Sequence, residues 1–102
     1  VTTLATGRIV QYTLSVGDAN AINKRLQDAL NNIAKHREAS DGSIVYVGNV
    51  ARPGDTYPAM IVNLNGASVN LQVFVDGNYT YWATSRSEGD QQGQFLFPVV
   101  TR

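Results

Sequence analysis

The run SVNLQVFVDGNYTYWATS, residues 68–85, decides the fold, because alternation, turn chemistry and aromatic content agree there. Val69, Leu71, Val73 and Val75 fall on one face and Asn70, Gln72 and Phe74 on the other, the period of two expected of a half-buried strand. Asp76-Gly77 supplies residues that tolerate positive φ at a tight reversal. The returning strand sets Tyr79, Tyr81 and Ala83 against Thr80, Trp82 and Thr84. This pattern predicts a β-hairpin. A hairpin that buries only one face is not stable alone, so further strands or a helix must be laid over it.

Working back towards the N-terminus, Asn65-Gly66 is the favoured type I′ dipeptide and joins the hairpin to a strand over residues 57–64. Pro58 stands near the start of that strand, where a missing amide is tolerable, and Ile61 and Val62 lie at its centre. Before it, Arg52-Pro53-Gly54-Asp55 has the Pro-then-Gly order of a type II turn, and residues 43–47 form a short strand. Beyond the hairpin, residues 86–93 are a polar loop, and residues 94–97 (QFLF) are a short apolar strand stopped by Pro98.

At the other end, residues 1–6 are small and unpatterned, an N-terminal arm. Residues 7–14 then alternate Ile9, Gln11 and Thr13 against Val10, Tyr12 and Leu14, a first strand. Ser15 followed three residues later by Asp18 is a capping box, which opens a helix over residues 16–38. Ala19, Ile22, Leu26, Leu30 and Ile33 form its apolar stripe, and Ser40-Asp41-Gly42 ends it. The chain is thus expected to be a single α+β domain, mainly β. It is either a small antiparallel sheet or an SH3-like, partly open barrel of five to six strands, with one long amphipathic helix inserted after the first strand. The antiparallel β region covers residues 43–98, and residues 99–102 are a C-terminal tail.

Charge excludes several functions. Eight basic and eight acidic residues cancel, and the charged fraction of 16% is well below the roughly 25% of an average soluble protein. Nine Asn and six Gln supply polarity instead, which favours hydrogen-bonded contacts over electrostatic steering. A nucleic-acid binder would need a basic excess to neutralise phosphates, and none is present. Without cysteine there is neither a disulfide nor a thiolate metal site. No apolar run approaches a membrane span, and the start, VTTLATGRIV, lacks the regions of a signal peptide, so a protein made in the cytoplasm is expected.

Catalytic chemistry finds no starting material in the residue types. His36 is the only imidazole and lies near the helix end, where capping or exposure explains it. Most of the eight carboxylates stand at caps and turns, and Glu88 with Asp90 is too small a set for a metal site. No phosphate-binding glycine loop occurs. No catalytic, cofactor-binding or metal-binding residue is therefore assigned. Tyr79, Tyr81 and Trp82 are close neighbours on one strand, so both faces of the sheet receive aromatic surface, one for the core and one as a contact anchor.

Six segments, GRIVQYTL (7–14), YPAMIV (57–62), SVNLQV (68–73), DGN (76–78), YWATS (81–85) and EGD (88–90) with Phe97-Pro98, resemble small proteins of tailed bacteriophages and prophages. The resemblance spans nearly the whole chain. Many such proteins end in a TWHWP-like strand where this chain has Gln94-Phe95-Leu96-Phe97-Pro98, without the imidazole. The resemblance implies a non-enzymatic virion component, a cement or decoration protein on the capsid exterior. Its partners would be the major capsid protein and further copies of itself, as trimers. The candidate contact residues are Val1, Thr2, Thr3 and Leu4 in the N-terminal arm, Trp82 and Arg86 in the sheet, and Val99, Val100 and Arg102 in the tail. The alternative is a phage protein that sequesters a host signalling nucleotide, for which Arg86 beside Trp82 is the candidate pair.

Overall fold

A computed structural model describes residues 4–35 and 47–98, and the side chains of the helix through Leu30. Strand β1 (Ile9–Thr13) leads into helix α1 (Val16–Lys35), and then come β2 (Thr56–Asn65), β3 (Ser68–Phe74), β4 (Thr80–Arg86) and β5 (Phe95–Leu96). The strands form one antiparallel sheet in the order β4-β3-β2-β1-β5. The sheet is not closed. A lone parallel bridge between Glu88 and Phe95 does bring the segment just beyond β4 up to β5, so the two ends of the sheet meet at one corner. Of the two expected architectures, the molecule has the open sheet with a helix across one face.

Alternation put the right residues inside. Val10, Tyr12 and Leu14, Val69, Leu71 and Val73, and Ala83 are all buried, and with Ala59, Ile61 and Phe95 they form the sheet's side of the core. From the helix, Ala19, Ile22 and Leu26 pack on it. Leu30, expected in the same stripe, is 57% exposed. Successive helical residues turn by about 100°, which leaves Leu30 only about 40° from Leu26, so its exposure does not come from the phase of the stripe; at this level of the helix Ala29 is the buried residue. The side chain of Ile33, the expected end of the stripe, and the helix beyond Lys35 lie outside the described residues. So do residues 43–46 of the expected second strand.

Three turns join the elements in different ways. Gly54 has φ +91° and the Asp55 amide donates to the Arg52 carbonyl at 3.1 Å, the type II turn expected there. Between β2 and β3 the two-residue link is Gly66-Ala67, not Asn65-Gly66; Gly66 at φ +64° takes the first central position, as in a type II′ turn. The expected tight turn at Asp76-Gly77 is corrected. The β3–β4 connection spans residues 75–79, and Gly77 is not among the glycines with positive φ. It is glycine because another backbone crosses it: a Cβ there would stand 2.6 Å from the Val47 carbonyl oxygen, and one on Gly48 would stand 2.7 Å from that of Asp76.

Candidate functional site

Two places concentrate unusual chemistry: a buried polar corner on the inner side of the sheet, and the uncovered outer face. The corner is built on Asp18, which is 1% exposed. The capping box forms as expected, with Ser15 N donating to Asp18 Oδ2 at 3.0 Å and Asp18 N donating to Ser15 Oγ at 3.1 Å. The same carboxylate then accepts from three residues of the sheet. Tyr12 Oη donates to Oδ2, Tyr81 Oη donates to Oδ1 at 2.9 Å, and Arg86 Nη2 donates to Oδ1 at 2.9 Å.

Arg86 reaches this corner because β4 carries a bulge. Leu71 pairs with Ala83 and Val69 with Arg86, so three residues of β4 span two of β3. Ser85 holds the extra step at φ +57°, a left-handed conformation unusual for a side-chain-bearing residue, and its amide donates to Asn70 Oδ1 at 3.0 Å. One extra residue reverses the alternation. Arg86 would otherwise share the outer face with Trp82, four residues earlier; it turns inward instead, its guanidinium 5.8 Å from the centre of the Tyr12 ring. A second bulge in β2, between Ile61 and Asn63, lies across β3 from the first, so both flank Asn70.

The electrostatics follow from this packing. Burial acts to raise the Asp18 carboxyl, but the hydrogen bonds from Tyr12, the Ser15 amide and Tyr81 outweigh it and hold the group below the usual carboxylate value. Burial, reinforced by the bond to Asp18, pushes the Tyr12 phenol well up and raises that of Tyr81. A carboxylate has about four acceptor positions, and here four donors from four residues fill them. Asp18 therefore has no free lone pair to accept a substrate proton or hold a cation. The corner is a clasp between the helix start and β4. Residue chemistry singled out Ser15 and Asp18 but not Tyr12, Tyr81 and Arg86 as their partners, which stand 6, 63 and 68 positions from Asp18.

The expected contact residues separate. Trp82 is 59% exposed on the outer face. Arg86 is on the other side of the sheet and committed to Asp18, so the pairing of Arg86 with Trp82 is corrected. Leu4 packs against the core, and the Gly7 amide donates to the Ile61 carbonyl at 2.7 Å, so the expected arm of residues 1–6 is tied down by its fourth residue. Val1, Thr2, Thr3, Val99, Val100 and Arg102 lie outside the described residues, as does His36. Glu88 and Asp90 are both exposed, and among the described residues no three acidic or imidazole groups cluster as a metal site. No helix among the described residues is long and apolar enough to cross a membrane.

On the outer face the observation is one of charge. Arg86 is the only Asp, Glu, Lys or Arg in all five strands, and the bulge takes it inside. The outer face is left with Asn, Gln and Thr among exposed apolar side chains. Set against protein family models, characterised proteins and solved structures, the chain matches none of them.

Proposed function

We propose that the protein is a non-enzymatic structural component of a bacteriophage virion that binds the outside of the assembled capsid. The phage setting rests on the resemblance in residues 7–14, 57–62 and 68–90. The contact role rests on one observation, the edge strand β4, which carries no charge on its outward side. Edge strands usually carry charges or proline that discourage pairing, and β4 carries neither on its outward side. Its unpaired backbone groups are available to a strand of the major capsid protein, and neutral side chains around them hydrogen-bond without the cost of desolvating charges. Nucleotide sequestration has less support, because the Arg86 guanidinium is committed to Asp18 and stands apart from Trp82.

Mass spectrometry of purified particles tests the proposal directly: the protein is expected in intact virions. Attachment should change little between low and high salt, since no ion pair supports it. Removing residues 1–3 should weaken attachment while leaving the fold intact; a cut through Leu4 should also loosen the core. Absence from purified particles together with abundance in infected cells would overturn the proposal.

A further inference from the structure

The outer face carries one large apolar side chain from each strand: Ile9, Met60, Phe74, Trp82 and Leu96. Four of these are exposed and Met60 is half-buried. They are contiguous, because Ile9 is opposite Met60, Gln72 is opposite both Met60 and Trp82, and Gln11 is opposite Leu96. Among the described residues, the only helix lies on the other face. We infer that this face pairs with the same face of a second copy, giving a two-fold dimer packed sheet on sheet.

Three physical arguments select a second copy as the occupant. Amide and hydroxyl side chains are both donors and acceptors, so Gln11 and Gln72 find suitable partners in an identical surface. A charged partner would lose hydration on this face and find no counter-charge there. Two copies of a chain with formal net charge +0 also approach each other without net Coulomb repulsion. Area is sufficient for a weak pair. Strands spaced by about 4.8 Å, four of them contributing about five residues of about 3.3 Å and β5 two, give a footprint on the order of 350 Å². Two such faces remove on the order of 1,000 Å² of accessible surface from water, the lower bound of specific interfaces and the range of concentration-dependent pairing. A face can meet itself only across a two-fold axis, so the assembly is a dimer and not the trimer the resemblance implies.

This inference does not rest on the virion reading, and its test needs only the purified full chain. Sedimentation velocity from about 1 μM to about 1 mM spans the corresponding dissociation constants, and the mass should rise from one copy to two. Trp82 is the only tryptophan, so its emission should move to shorter wavelength over the same range. Trp82→Lys and Trp82→Glu should each keep the circular dichroism of the parent and weaken pairing at least about tenfold. A chain that stays monomeric throughout would overturn the inference, as would a mass of three copies or variants that pair as well as the parent. Tryptophan emission already shifted in the monomer would overturn it too, since the chain's own remaining residues would then cover the face.

Discussion

The polar corner and the outer face invert the usual distribution of charge. Inside, an aspartate and an arginine meet under the helix start; outside, the same sheet presents no charge at all. The inner pair holds two elements in one orientation, and its cost in desolvation is offset by four hydrogen bonds to a single carboxylate. On the outer face the hydrogen bonds are between neutral neighbours on adjacent strands, as where Thr80 Oγ1 donates to Gln72 Oε1 at 2.9 Å, and among the described residues none of them joins the sheet to the helix. A neutral surface is compatible with an equally neutral partner, so the contrast separates the part of the molecule that fixes its shape from the part available for contact.

The largest expected effect comes from emptying the corner. Asp18→Ala leaves the Arg86 guanidinium and the Tyr12 and Tyr81 hydroxyls without their acceptor, and equilibrium urea unfolding should show a loss of about 3 to 5 kcal/mol. The pH dependence has a definite sign. Asp18 is held below its ordinary value, so the stability it contributes is present above about pH 4 and lost as pH falls through the folded value. Tyr12 and Tyr81 are raised, so their contribution is present below about pH 10 and lost as pH rises beyond it. Asp18→Asn should flatten the acid limb. An acid limb as steep as the parent's would mean that other carboxylates, and not the clasp, set the stability.

Next in size is the helix contact. Leu26→Ala should cost about 2 to 3 kcal/mol, near the low end for a buried leucine, because a little of it remains exposed. Leu30→Ala should change stability by no more than about 0.5 kcal/mol. Equal losses at the two positions would show that Leu30 is covered, in which case the buried stripe of the helix continues through it.

A smaller effect tests how the corner is aimed. Ser85→Val places a β-branched residue at φ +57° and should cost about 1 to 2 kcal/mol, while Ser85→Gly should be neutral or stabilise by up to about 1 kcal/mol. Thermal unfolding of the two variants distinguishes a required left-handed residue from an incidental one. If valine is tolerated, the bulge is not what turns Arg86 inward.

These residues also show how far the sequence was legible. The alternation in β1, β3 and β4, the capping box and the Pro53-Gly54 turn are local, and each depends on residues within a few positions of one another. The two bulges are not local: a one-residue offset between strands leaves no mark on hydrophobic periodicity, yet it moves Arg86 from one face to the other. Gly77 differs from its local expectation for a related reason. Asp-Gly is a turn dipeptide by local propensity, whereas here the glycine admits the backbone of Val47, 30 positions away. The uncharged character of the strands was visible as a low charged fraction, but that one face held none of it required the register.

The smallest effect on stability belongs to the outer face, and its smallness is the point. Trp82→Thr keeps a residue suited to an edge strand and removes a side chain that is 59% exposed, so the monomer should lose no more than about 0.5 kcal/mol in urea unfolding at low micromolar concentration. The parent should become more resistant to urea as concentration rises, because pairing stabilises only the folded chain, and the variant should not. A tryptophan that contributes little to its own fold but confers concentration-dependent stability acts through a contact between molecules. A loss of about 2 kcal/mol or more at low concentration would instead place Trp82 among the residues that hold the sheet together, and the division between an inner face for shape and an outer face for contact would no longer stand.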